Sequence, residues 1–133
     1  MAEKVGTLRI TLEDMAGLPE ARHSLAAWLE HVPVADHVAA DLVTAAGELC
    51  ANAVRAATTS AELTARLEPH SVVVEVIDDG TPVEIELPEE PPPAHMESGR
   101  GLYLVRQLVD VLWIRQLPGG RGTKASFARR LEV

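Results

Sequence analysis

Apolar and polar residues change period several times along the chain, and each change marks an element. Leu8, Ile10 and Leu12 alternate with Arg9 and Thr11, the period-2 pattern of a half-buried strand over Thr7 to Leu12. From Leu18 to Leu29 the apolar spacing lengthens to three and four, which predicts a helix. Pro19 falls in its first turn, where a missing N–H is tolerated. Pro33 separates this helix from a longer one in the Ala-rich run Ala35 to Ala57, with Asp36 as the expected N-cap. Ala61 to Leu67 and Val72 to Ile77 read as strands connected by Glu68-Pro69-His70-Ser71. Pro82, Pro88 and the Pro91-Pro92-Pro93 run exclude a regular helix over 81–98. Leu102 to Val109 predicts a short amphipathic helix, and Val111 to Leu117 with Lys124 to Ala128 a closing hairpin across Pro118-Gly119-Gly120. The result is an α+β pattern without internal repeats.

The long helix carries the first candidate chemistry. At 100° per residue, Asp41, Thr44, Glu48, Asn52, Arg55 and Thr59 project within about 80° of one another. Val38, Leu42, Ala46, Leu49, Ala53 and Ala57 form the apolar side. Glu48 and Asn52 lie one turn apart on the polar face. A carboxylate there can act as a base, and a carboxamide oxygen is a hard ligand suited to Mg²⁺. Amphipathicity by itself makes Glu48 a solvated glutamate. Two residues speak for more: Gly47 costs about 1 kcal/mol relative to Ala in mid-helix, and Asn52 competes with the backbone for hydrogen bonds.

Three glycine motifs follow. Val74 to Ile77 runs into Asp78-Asp79-Gly80-Thr81-Pro82, either an ordinary strand exit or a carboxylate facing a flat ligand. Such a carboxylate accepts a hydrogen bond from an exocyclic amine such as that of adenine. Ser98-Gly99-Arg100-Gly101-Leu102 places Gly-x-Gly at a helix start, which is a plain cap or a phosphate site made from unpaired N–H groups. Gly120-Arg121-Gly122-Thr123 is by default a hairpin turn.

Composition narrows the field. A chain of 133 residues with 47% apolar content suits one domain with a sufficient core. Cys50 is the one cysteine, which excludes an internal disulfide and fits a reducing, cytoplasmic compartment. No apolar run approaches the roughly 20 residues of a membrane span, so no membrane partner is expected. The formal net charge is −8, with few aromatic residues and no Lys/Arg cluster, which argues against direct nucleic-acid binding. His23, His31, His37, His70 and His95 show no zinc-ligand spacing.

In order and spacing, Glu48-x-x-x-Asn52-Ala53, Asp78-x-Gly80-x-Pro82, Gly99-x-Gly101-Leu102 and Gly122-Thr123 resemble the Bergerat-fold, histidine-kinase-like ATPases. The string from Gly99 to Asp110 looks most like the bacterial serine-kinase anti-sigma factors. The resemblance runs from about residue 5 to 128. It implies a two-layer α/β sandwich, with helices on one face of a mixed, mainly antiparallel sheet, as a single domain over 1–133. It implies ATP and Mg²⁺ as cofactors: Glu48 as the base, Asn52 on the metal, and Asp78 on the adenine amine with Gly80 admitting the base. Gly99, Arg100, Gly101 and Leu102 would form the phosphate loop under a lid at 81–98, and Thr123 would sit near the adenine end. The implied activity is a serine/threonine protein kinase acting on an anti-anti-sigma partner of STAS type and binding a sigma factor. Homodimerisation is implied through Thr7 to Leu12 and Leu18 to Leu29.

The chain also departs from the pattern. Ala56 and Ala57 follow Arg55 where relatives often carry histidine, Pro82 stands where many have glycine, and no lysine lies in the phosphate loop. The segment 81–98 carries Glu84, Glu86, Glu89, Glu90 and Glu97. These features keep a non-catalytic nucleotide-binding module as an alternative. A pure interaction domain, with its glycines serving only as turns, is the third reading.

Overall fold

The computed structural model describes residues 5–80 and 100–131. The expected lid at 81–98 and Gly99 lie outside them. Five strands and three helices follow one another as β1 (Leu8–Leu12), α1 (Leu18–Leu29), α2 (Asp36–Ala56), β2 (Ala61–Leu67), β3 (Ser71–Asp78), α3 (Arg100–Leu108), β4 (Val111–Gln116) and β5 (Thr123–Arg130). The sheet order is β1-β2-β3-β5-β4, and each of these four pairings is antiparallel. This is the expected α+β architecture of two layers.

Strand periodicity decides which face the helices cover. Register aligns Leu8 with Ala65, Ile10 with Leu63, and Leu12 with Ala61, so the apolar positions of β1 and β2 share one face. Across the sheet the same face continues through Val72, Val74 and Val76, then Phe127 and Ala125, then Leu112 and Ile114. Helix α2 lies against this face, flanked by α1 and α3. Both surfaces are built of small residues. Ala45, Ala46, Ala51 and Ala53 on α2, and Ala61 and Ala65 on β2, are buried, so the helix can approach the sheet closely. Phe127, fully buried, is the large side chain of the sheet's inner face.

Several local expectations are corrected. Helix α2 is capped by Ala35 rather than Asp36. Asp36 is already in the first helical turn, where it contributes its charge to the positive end of the helix. The helix stops at Ala56, which removes Thr59 and Ala57 from the expected faces. Strand β5 extends through Arg130, and Arg100 and Gly101 are already helical, so α3 reaches further back than Leu102. The room at Gly47 is taken by Arg22: a Cβ there would come 2.6 Å from its Nε. Trp28 is half-buried and its Nε1–H donates to the Gly6 carbonyl at 2.8 Å, whereas Trp113 is exposed.

Arg129 ties the layers together at the end of the sheet away from the cleft. Its Nη1 donates to the Leu108 carbonyl at the close of α3 and to Asp41 Oδ2 on α2 at 3.3 Å. Phe127→Ala, which empties the centre of the sheet's inner face, is expected to cost about 3–5 kcal/mol. Urea unfolding would show it as a lower midpoint with an unchanged slope.

Candidate functional site

The ends of α2 and β3 meet the start of β5, and a small open cleft of ≈ 60 Å³ lies between them. The helix wall is Leu49, Asn52, Ala53 and Ala56, which recur at three- and four-residue spacing. The sheet wall is Val76 and Asp78 on β3, Thr123 and Ala125 on β5, and Ile114 on β4; Leu102 of α3 closes one side. The lining is therefore apolar, with Asn52, Asp78 and Thr123 as its polar groups. Such a lining suits a flat, apolar ring with a few directed hydrogen bonds.

Asp78 is 6% exposed and stands opposite Ala61 and Thr123 in the sheet. Its Oδ1 accepts the Gly80 N–H at 2.9 Å, and the Thr123 backbone N–H also favours its charged form. Burial outweighs them and pushes the carboxyl above its ordinary value, with the neighbouring Asp79 charge adding to the rise. A carboxylate carried into an apolar wall with so little compensation is poised to accept a hydrogen bond from a ligand.

Two glycines fix that carboxylate through backbone contact. A Cβ on Gly80 would collide with the Ala56 carbonyl at the end of α2. One on Gly122, at φ +134, would collide with the carbonyl of Asp78 itself. Gly80 therefore serves the approach of α2 to β3 and does not itself line the cleft.

Glu48 lies at the mouth, one turn before Asn52, half-buried and outside the apolar lining. A Cβ on Gly101 would come 2.6 Å from Glu48 Oε2, so the first turn of α3 is laid against this carboxylate because it carries glycine. The first-turn N–H groups of a helix have no intrahelical acceptor and are the donors an anion would use. Leu102 is buried behind them. Arg100 is the first described residue of the helix, and Gly99 lies outside the described residues. Asn52 Oδ1 accepts from Arg55 Nη2 at 2.6 Å. Among the described residues no three His, Cys, Asp or Glu side chains gather as a metal cage. One hard amide oxygen beside the N-terminal part of α3 would nevertheless fit Mg²⁺, which takes few protein ligands and completes its shell with phosphate and water. Cys50 is buried in α2 with its thiol pushed up to about 12 by burial, against the opposing charge of Arg22, so thiolate chemistry has no part here.

The structure thus gathers Asn52, Asp78, Leu102 and Thr123 around one cleft, with Glu48 and Gly101 in contact at its mouth. Sequence reasoning missed the apolar walls. Once Asp78 is chosen, period-2 counting reaches Val76, and the strand partners add Ala125 and Ile114. Asp79 was also passed over, for want of any local pattern distinguishing it from a turn residue.

The matching family model is the histidine kinase-like ATPase domain, aligned over residues 12–128. The chain belongs to that family. No curated protein matches it. Among solved structures, the RsbU and RsbW domains of Rv1364c from Mycobacterium tuberculosis are 27% identical, with a TM-score of 0.71 over 95% of this chain. The chain spans 32% of the length of that crystallised chain. The histidine kinase domain of the Erythrobacter litoralis EL346 blue-light activated histidine kinase is 23% identical, with a TM-score of 0.53, covering 86% of this chain and 61% of that one. Acinetobacter baumannii histidine kinase AdeS is 12% identical, with a TM-score of 0.54, covering 98% and 70%. The two histidine kinases share the fold with this chain. Among the described residues, no helix is long and apolar enough to cross a membrane.

The raised Asp78 carboxyl predicts a pH dependence. The folded protein holds this proton more tightly than the unfolded chain, whose carboxyl titrates near the ordinary 3.8. Stability from this group is therefore full at low pH and declines as pH rises from 3.8 through the raised value. The stability of the wild type minus that of Asp78→Asn, from urea midpoints at successive pH values, should fall over that interval. A difference that rises with pH would contradict the assignment.

Proposed function

We propose that this chain is an ATP-dependent serine/threonine protein kinase of the anti-sigma type. In this reading residues 1–133 act as one nucleotide-binding domain in the cytoplasm. It binds a sigma factor and phosphorylates a STAS-type anti-anti-sigma partner. The observation that carries the nucleotide reading is Asp78: a buried carboxyl held above its ordinary value in the wall of an apolar cleft, with Asn52 across from it. The protein-kinase reading is supported by the likeness to a structure that includes an RsbW domain, over nearly the whole of this chain.

Each residue then has one task. Asp78 accepts the adenine amine, with Thr123 beside it and Val76, Ile114 and Leu102 enclosing the ring. Gly80 and Gly122 hold that carboxylate in place. The start of α3, with Gly99, Arg100 and Gly101, receives the phosphates. Asn52 Oδ1, released from Arg55, is the protein ligand for Mg²⁺, which when bound offsets phosphate charge. Glu48 accepts the proton of the attacking Ser or Thr hydroxyl. Phosphoryl transfer depends on positioning and charge more than on covalent chemistry, so this small set suffices.

One contact favours a second reading, a nucleotide-binding regulator without transfer: Arg55 already occupies the amide oxygen that the metal needs. Phosphoryl transfer from labelled ATP to STAS-type proteins of the source organism separates the two. Glu48→Gln should reduce transfer by about 10²-fold or more, the usual worth of a general base, with ATP affinity nearly unchanged. Transfer that survives this substitution removes Glu48 from the mechanism. A wild type that binds ATP but labels no partner supports the regulator.

A further inference from the structure

Asp79 makes more backbone contacts than any role as a turn residue requires. It follows Asp78 directly, at the exit of β3, and its carboxylate is directed at the loop between α2 and β2. Its Oδ1 accepts the backbone N–H of Thr58 at 2.8 Å, of Thr59 at 2.9 Å and of Ser60 at 3.4 Å. Oδ2 accepts from Thr59 as well, at 3.2 Å. Three consecutive amides thus converge on one carboxylate, the arrangement of a backbone anion nest filled by the protein's own side chain. These donors, the Thr59 N–H foremost, hold the Asp79 carboxyl below its ordinary value although it is exposed to water.

The position of this nest gives it consequence. The loop it closes follows directly on Ala56, which lines the cleft and whose carbonyl abuts Gly80. Helix α2 ends there without a glycine: Ala57 is extended, and its N–H returns to the Ala53 carbonyl. The chain then turns into β2, where Ala61 pairs with Asp78. The Asp79 nest therefore bridges the end of α2 and the end of β3, next to the residues on which both walls of the cleft depend. On the α2 side the cleft is lined by Asn52, Ala53 and Ala56; on the β3 side by Val76 and Asp78. A change in separation between these two ends moves Asp78 relative to Asn52.

We infer that Asp79 is a positioning residue of the nucleotide site. It sets the distance between the helix wall and the sheet wall by clamping the Thr58–Ser60 amides, and it acts on the ligand through Asp78 without touching it. The two successive acids divide the work. Asp78 faces into the cleft and remains available to a ligand, while Asp79 faces the loop and is committed to backbone. This inference rests on the nucleotide-site reading and adds to it a residue that lines no wall of the cleft.

The test measures ADP affinity without metal and ATP affinity with Mg²⁺ for wild type, Asp79→Ala and Asp79→Asn. Calorimetry is run well below the melting temperature of each protein, with amide exchange of Thr58, Thr59 and Ser60 followed in parallel. Asp79→Ala should weaken both nucleotides by a similar factor, about 10-fold or more, as removal of a group that orients a binding residue usually does. The three amides should lose protection. Asp79→Asn retains one acceptor oxygen but sets an NH₂ group against a backbone N–H, so it should fall between the two. Should Asp79→Ala not fold, the folded Asn variant decides alone. Unchanged affinity in a folded variant that has lost the amide protection would overturn the inference and reduce Asp79 to a stabilising turn residue. A wild type that binds neither nucleotide removes the site itself, and with it both the proposed function and this role.

Discussion

Three backbone segments meet around Asp78 with no space between them for a Cβ. The Ala56 carbonyl at the end of α2 presses on Gly80, and the carbonyl of Asp78 presses on Gly122 at the start of β5. Both glycines belong to loops, and neither lines the cleft. Their importance lies in what their missing side chains permit, which is a helix end and two strand ends brought to backbone contact. Any larger residue would push α2 from the sheet and open the wall that carries Asp78. The small residues of α2 and β2 extend the same constraint through the core, since a helix this close to a sheet needs Ala where other folds place Leu.

The electrostatics of the cleft follow from that closeness. Packing buries Asp78 beside apolar side chains, and desolvation raises its pKa despite backbone donors from Gly80 and Thr123. A carboxylate in this position destabilises the empty protein and gains most when a ligand donor reaches it, a common trade between stability and binding. At the mouth the logic reverses. Glu48 and Asn52 are only half-buried and remain within reach of water, where polar side chains can exchange partners. The first turn of α3 meets Glu48 only because Gly101 has no side chain. One chain thus holds a dry end suited to a ring and a wet end suited to phosphates and metal.

Most elements were legible because their hydrophobic period was uninterrupted. Helix α1 and strand β2 are found at the predicted residues, since Leu18, Ala21, Leu25 and Leu29 keep one face and Ala61, Leu63 and Ala65 keep another. The misjudged boundaries are places where tertiary contact overrides local preference. Asp36 is a favourable cap by type, yet the helix begins at it, because the extended residue is Ala35. Thr123, Arg129 and Arg130 continue β5 because β3 supplies partners from Asp78 out to Ser71, which no local pattern announces. Of the candidate site, the polar residues could be picked from motif order. The apolar wall and the Asp79 nest could not, because they arise from strand pairing and from a loop folded back by some twenty residues. Gly47 shows the opposite case: its oddity was visible, but its cause is Arg22 on another helix.

The central claim is that the cleft is a Mg²⁺-dependent ATP site. Thermal unfolding of the wild type and of Asn52→Ala, each with ATP in the presence and absence of Mg²⁺, tests it most directly. Ligand at roughly 100 times its Kd adds about 2.7 kcal/mol to the folded state, several degrees in a domain of this size. The account predicts a rise in melting temperature for the wild type that depends on Mg²⁺ and is lost in Asn52→Ala. A folded wild type that shows no shift under any of these conditions would contradict it.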